Sequence, residues 1–405
     1  MTAWNPEKVR QDFVLLRNTD RVYFDNAATS QKPQCVLDAV EEFYQKYNAN
    51  VLRGLYPLSV EATERYEAAR RTVQRFIHAA CPEEIIFTRN ATESMNLVAY
   101  SYGMANLKAG DEILVSIMEH HSNILPWQMV SRATGAKLVF LECEPDGTIT
   151  KEKMDAAFSE HTRMVAVTQV SNVLGCVNDI PELVKRARAC GAAILMDAAQ
   201  SAPHMPIDVQ KLDVDFVAFS GHKMLAPMGI GVLYGKQELL EKMPPFLTGG
   251  EMIETVSRYD AVYAELPHKF EAGTVNAGGA VGLAAAIDYL ESYGMDKLHA
   301  VEQELTAYLF RGMKAIPHIH VLGSDREDNH TGIVSFAVDQ VHPHDISEVL
   351  SSDGMDIRAG HHCAQPLHDH LGVHSTARAS LMFYNTKEEI CLLYTSDAAD
   401  DRISV

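Results

Sequence analysis

Between residues 84 and 235, short apolar runs rich in β-branched residues alternate with stretches whose apolar positions recur at helical spacing. The runs are "EIIFT", "DEILVSI", "KLVFLE", "RMVAVTQV", "AAILMDAA", "DFVAFS" and "GIGVLYG". This alternation predicts an α/β fold with a mostly parallel seven-stranded sheet wrapped by helices, since strands buried on both faces read as continuous apolar runs. Beyond residue 295 the pattern changes to one long helix, then "IHVLG", "GIVSFAV", "MDIRAG" and "RASLMFY", which predicts a smaller α+β unit. Asn5 before Pro6 and Glu7 reads as a helix cap, with Val9 and Phe13 at helical spacing behind it. The expected division is a large domain over 20–265, a small domain from 1–19 and 290–390, and a connecting, dimer-interface segment over 266–289. Residues 391–405, "CLLYTSDAADDRISV", carry no sustained apolar face, look like translated adapter read-through, and read as a non-native tail.

Composition narrows the partners. The 405 residues hold 35 Lys+Arg against 54 Asp+Glu, a formal net charge of -19, so nucleic acid and anionic membrane would meet a surface of the wrong sign. The opening "MTAWNPEKVRQDF" lacks an apolar leader core, and no segment approaches the roughly 20 apolar residues of a membrane span. A cytoplasmic protein is expected. Its seven cysteines are scattered without CxxC spacing, as suits a reducing compartment.

The candidate chemistry lies where the strands end. Thr92 follows the first run, His120 and His121 the second, Asn172 the fourth, Asp197 ends the fifth, and Ser220, His222 and Lys223 follow the sixth. In a parallel sheet these are carboxyl ends, where ligands bind. Each residue alone would pass as a helix cap, a core histidine or a turn aspartate; five strand ends together call for another account. Lys223 is the sharpest case, because a lysine at the end of a buried strand is costly as a free cation. Pyridoxal 5'-phosphate (PLP) accounts for the set: its aldehyde needs a lysine, its pyridine nitrogen a carboxylate, and its phosphate hydroxyl and amide donors. An imine at Lys223 removes the cost of burying an ammonium.

These segments resemble the class V group of fold-type I PLP enzymes, and within it cysteine desulfurases of the SufS/CsdA type. The resemblance is carried by "YFDNAATSQKP" (23–33), "MEHHSNILPWQ" (118–128), "VSNVLG" (170–175), "MDAAQS" (196–201), "FSGHK" (219–223), "FEAGT" (270–274), "RAGHHCAQP" (358–366) and "RASLMFYNT" (378–386). It implies Lys223 as the cofactor-linked lysine, Asp197 on the pyridine nitrogen, Gln200 on the ring hydroxyl and His120 over the ring. Thr92, Ser220 and His222 would hold the phosphate, with Thr274 reaching it from the second subunit of a homodimer. Asn172, Arg358 and Arg378 would meet the substrate, Arg378 gripping its carboxylate bidentately.

Cys363 decides the reaction. It stands in "RAGHHCAQPLH", a loop sequence in which neighbouring histidines or Arg358 favour the reactive thiolate. A buried structural thiol is the ordinary alternative; metal binding by His361, His362 and Cys363 is disfavoured because adjacent residues do not easily face one ion. The implied activity is removal of sulfur from L-cysteine, giving L-alanine and a persulfide on Cys363. His120 would handle the proton of the substrate thiol. A sulfur-acceptor protein of the SufE or SufU type, iron–sulfur cluster assembly and activity on L-selenocysteine follow from the same resemblance. The chain departs from the usual pattern at Leu52, at Asn90 and Ala91, over Met224 to Gly229, and at Val275. The rival expectations are a PLP-fold protein of altered specificity, kynureninase- or epimerase-like, and a non-catalytic relative. A nucleotide-binding module is weakest, since "GIGVLYG" lacks GxGxxG spacing and no GxxxxGK[ST] occurs.

Overall fold

The computed structural model describes residues 4–395. Seven strands form the main sheet: β1 (Ile85–Thr88), β2 (Glu112–Ser116), β3 (Lys137–Leu141), β4 (Thr162–Thr168), β5 (Ala193–Asp197), β6 (Phe216–Ser220) and β7 (Gly231–Gly235). Their spatial order is β1-β7-β6-β5-β4-β2-β3, with β7 alone running antiparallel to its neighbours. Each apolar run of the sequence therefore becomes one strand, and the period of two explains the composition. Ile113, Met164, Leu195, Phe216 and Leu233 pack on one face, while Leu114, Val165, Ile194, Val217 and Val232 pack on the other.

The second unit has a four-stranded sheet of β8 (Ile319–Val321), β9 (Ile333–Val338), β10 (Arg358–Gly360) and β11 (Thr376–Ser380), ordered β8-β9-β11-β10 and antiparallel throughout. Its own core gathers Leu305, Leu309 and Met313, from the helix over Met295–Lys314, against Val334, Phe336, Ala377 and Ala379. The run "RASLMFY" is strand only to Ser380; Leu381 to Tyr384 leave the sheet but remain buried. The opening helix spans Pro6–Arg10, capped by Asn5, whose Oδ1 accepts from the Lys8 amide at 3.1 Å. Phe13 falls beyond it, in a bridge to Pro33. Val9, Phe13 and Leu16 share the large core with Met382, Phe383 and Tyr384, so the seam between the two cores runs through them.

The last helix, Lys387–Thr395, runs past the expected stop at Ile390. Ile390 and Leu393 are buried in the small core and the Tyr394 hydroxyl meets that of Tyr308 at 3.0 Å. An apolar pair one turn apart is enough to seat it, although the run is too short to show a sustained face. The remainder of the expected tail, 396–405, lies outside the described residues. A hairpin over Ile253–Val256 and Ala261–Tyr263 was not foreseen, because its strands are mostly exposed and carry no apolar run. Among the described residues no helix is long and apolar enough to cross a membrane.

Candidate active site

The carboxyl ends of the parallel strands open on a cavity of about 560 Å3 at the seam between the two units. It is lined by Thr92, His120, Asn172, Asp197, Gln200, Ser220, His222 and Lys223 from the large unit, and by Arg358, Cys363 and Arg378 from the small one. Eleven of the twelve expected site residues thus converge. Thr274 does not: it lines a separate cavity with Gly229, Phe246 and Glu271.

Asp197 ends β5, is buried, and accepts from the Ala199 amide at 2.8 Å through Oδ1. Burial raises its pKa, partly offset by Lys223. The Lys223 amine is pushed down to about 8, mainly by burial and against the pull of Asp197. Gln200 donates to the Ala27 carbonyl at 2.9 Å, and its Oε1 is buried without a partner. Ser220 Oγ accepts from the Ala91 amide at 2.8 Å at the start of the helix Ala91–Leu97, which leaves its hydroxyl proton for another acceptor. Thr92 Oγ1 lies 2.7 Å from Ser122 Oγ.

His120 Nδ1 accepts from the Ser122 amide at 3.1 Å, so the neutral ring carries its proton on Nε2. Burial and the nearby cations push this ring down to about 3, and His222 down to about 4. Both stay neutral across the physiological range.

The arginine side is built by the small sheet. Arg358 on β10 sits opposite Arg378 on β11, and Asp25 lies between them, 3.2 Å from Arg378 Nη2 and 3.8 Å from Arg358 Nη1. Arg378 also donates to the Asn172 carbonyl at 2.9 Å, and its Nε is buried with no partner. A buried guanidinium with one edge occupied and an orphan donor suits a carboxylate. Asn172 Nδ2 donates to the His362 carbonyl at 2.7 Å, which ties the β4 end to the cysteine loop. Cys363 is exposed at this cavity, with its carbonyl held by the His121 amide at 2.7 Å.

Sequence reasoning missed three supports. Asp25 stands inside "YFDNAATSQKP" and could have been singled out there as the counter-charge for Arg378. Glu119, beside His120, is buried and accepts from Ser116 Oγ at 2.5 Å, the Thr168 amide at 2.7 Å and Asn123 Nδ2 at 2.7 Å, clipping the ends of β2 and β4 together. Burial pushes its carboxyl up to about 8. His362, weighed in the sequence only as a metal ligand, has a buried ring whose Nε2 lies 2.9 Å from Thr376 Oγ1. Of the loop departing from the usual pattern, Met224 to Gly229, the first three residues are wholly buried, with Leu225 in a left-handed conformation at φ +67° and its amide held by Ser30 Oγ at 2.8 Å, while Met228 is exposed.

Aminotransferase class-V sequences match this chain over residues 22–393. The chain belongs to the class-V aminotransferase family. Among relatives of this class-V aminotransferase, a probable cysteine desulfurase of Halalkalibacterium halodurans is 53% identical over 369 residues, covering 91% of this chain and 90% of that protein. The apo cysteine desulfurase of Thermococcus onnurineus NA1 superposes with a TM-score of 0.92 at 42% identity, over 96% of each chain. The cysteine desulfurase CsdA of Escherichia coli, in its S-sulfonic acid form, gives a TM-score of 0.91 at 39% identity, over 99% of this chain and 98% of that one.

Proposed function

We infer that this class-V aminotransferase is a PLP-dependent cysteine desulfurase, which takes sulfur from L-cysteine as a persulfide on Cys363 and releases L-alanine. The observation that carries the reading is the meeting, in one cavity, of a half-buried lysine and a buried aspartate from the strand ends of the parallel sheet with an exposed thiol and a half-satisfied arginine from the small sheet. The residues present fit the cofactor: Gln200 Oε1 is an orphan acceptor, Ser220 has a hydroxyl proton to donate, and Asp197 has one oxygen free of the Ala199 amide. Lys223, Asp197, Gln200 and His120 would hold its ring, and Thr92, Ser220 and His222 its phosphate. When bound, PLP supplies an aldehyde for amine linkage and a protonated ring that takes up the electron pair left at the substrate Cα.

The chain's own residues do the rest. Arg378 and Asn172 orient the substrate carboxylate, the orphan Nε of Arg378 completing the fork. Lys223 Nζ, as free amine, takes the Cα proton. His120, neutral with its proton on Nε2 and its Nδ1 taken by the Ser122 amide, donates a hydrogen bond to the substrate sulfur, whose proton stays with it in the persulfide. Cys363 Sγ, as thiolate, attacks the substrate sulfur: an S–S bond forms, the substrate Cβ–S bond breaks, and its electron pair stays with the carbon that leaves as alanine. Arg358 lines the same cavity as Cys363.

The persulfide forms at the exposed end of the cavity, within reach of an acceptor protein of the SufE or SufU type, and iron–sulfur cluster assembly is the use we propose for it. L-selenocysteine fits the same site. A homodimer is supported by large apolar side chains left in water, among them Leu55 and Tyr259, each 96% exposed, and Tyr263. A cytoplasmic location suits the seven unpaired cysteines. The test mixes the yellow holoprotein with L-cysteine and measures alanine and protein persulfide. Wild type should produce both, and Cys363→Ala should keep the cofactor absorbance while losing the persulfide. Unchanged alanine release from Cys363→Ala, or none from wild type, would overturn the reading.

A further inference from the structure

The backbone at the nucleophile is held in a conformation that side chains disfavour. His362 at φ +51° and Cys363 at φ +55° are successive left-handed residues, neither of them glycine. Such a stretch persists only where its surroundings over-determine it, since Cβ crowds the next carbonyl. Three backbone contacts contribute: Asn172 Nδ2 to the His362 carbonyl at 2.7 Å, the His121 amide to the Cys363 carbonyl at 2.7 Å, and the Ala364 amide to the His361 carbonyl at 2.9 Å. The fourth contact is the buried ring of His362, whose Nε2 lies 2.9 Å from Thr376 Oγ1 at the start of β11.

Proton positions along that contact follow from its geometry. Thr376 Oγ1 also lies 3.2 Å from His368 Nε2, and a hydroxyl has only one proton to give. His368 Nδ1 lies 3.1 Å from the Ala364 carbonyl, which can only accept, so Nδ1 carries the His368 proton and Nε2 is an acceptor. Thr376 therefore donates to His368, and His362 Nε2 donates to Thr376. His362 Nδ1 is left as a bare lone pair, and it is indeed buried without a partner. Burial lowers both rings, His362 to about 2, so each remains neutral and the direction of the chain is fixed at working pH.

We propose that His362 is a positioning residue for the nucleophile: its ring, fixed with the proton on Nε2 by Thr376 and His368, holds the Cys363 loop in the left-handed conformation that presents Sγ to the cavity. The small-domain sheet thereby sets the shape of the loop on which the sulfur is received. The functional part of this inference rests on the reading of Cys363 as sulfur acceptor; the anchoring part does not.

The holoenzyme is compared with His362→Phe, which keeps the volume and removes the donor, His362→Gln, whose amide can donate from a similar position, and Thr376→Val. Two readouts are taken: amide hydrogen exchange over residues 360–364 without substrate, and single-turnover persulfide formation against the earlier cofactor absorbance change on mixing with L-cysteine. His362→Phe and Thr376→Val should each raise loop exchange at least tenfold and slow persulfide formation at least tenfold, with the absorbance change within twofold of wild type. His362→Gln should recover most of both. Wild-type exchange and persulfide rates in His362→Phe would overturn the proposal, as would equal loss of the absorbance change and the persulfide. Should His362→Phe fail to fold, Thr376→Val, which removes only the hydroxyl, carries the same two outcomes. No persulfide in wild type would instead refute the desulfurase reading, and loop exchange would still judge the anchor.

Discussion

Lys223 shows how a single side chain can be set mainly by burial. With its amine near 8 in the fold against roughly 10.4 in the unfolded chain, the unfolded state holds more protons between those values. Stability of the cofactor-free protein should therefore rise with pH through that window, while below pH 8 the buried ammonium carries its full cost. Relative to Lys223→Met, wild type should gain about 1 kcal/mol between pH 7.5 and 9.5 in urea unfolding, after discounting for access of water to the cavity. A flat difference would mean that Lys223 keeps an ordinary pKa. Arg378 allows a second prediction at this scale. Its planar fork is half used by Asn172 and Asp25, and Lys cannot reproduce the remaining Nε donor. Arg378→Lys should raise KM for L-cysteine by ten- to thirtyfold, a loss of about 1.4–2 kcal/mol, with a smaller change in kcat. Steady-state alanine release measures both.

Among the elements, β7 determines where the helix Ala91–Leu97 begins. Gly231, opposite Ser220 on β6, lets the backbone of Asn90 pass so close that an added Cβ would sit 2.5 Å from Asn90 Cα and 2.7 Å from its carbonyl carbon. Backbone cannot swing aside as a side chain does, so Gly231→Ala should displace the helix start, break the Ser220–Ala91 bond and cost about 2–3 kcal/mol. A fall in the thermal midpoint together with weaker retention of PLP on dilution would show it; a wild-type midpoint would refute it. The strands were legible because all but the edge strand β3 are buried on both faces and so write themselves as apolar runs, and the polar residues at their ends were legible because the parallel order sends them to one edge. Helices and supports were less so. Asp25 and Glu119 act through partners more than 40 residues away in sequence, Arg378, Thr168 and their neighbours, and no local period marks such pairings. The hairpin over 253–263 lacks apolar alternation, and the last described helix is seated by only two buried apolar side chains. Leu225 is the opposite case: the sequence shows a bulky residue where a turn favours glycine, and the structure shows that its burial offsets the left-handed backbone.

For the molecule as a whole, the unresolved piece is Thr274. Every other expected residue faces the cavity of its own chain, while Thr274 lines a separate hollow whose wall includes the exposed Leu247. Its loop is nonetheless firmly built: Glu271 accepts from the Phe87 amide at 2.7 Å, from Tyr66 at 2.8 Å and from buried Arg70 at 2.7 and 2.8 Å. A loop fixed this rigidly, aimed away from its own site and flanked by apolar surface, suits a second copy of the chain. If Thr274 serves the partner's phosphate, Thr274→Asp should abolish activity by charge repulsion, and Lys223→Ala should abolish it by removing the amine. Each mixed dimer of the two variants would contain one site with both groups intact, Lys223 from one chain and Thr274 from the other. Refolding or subunit exchange of an equal mixture should then restore about a quarter of wild-type alanine release, since half the dimers are mixed and each has one competent site of two. If Thr274 acted within its own chain, neither subunit of the mixed dimer would be competent and the mixture would stay inactive.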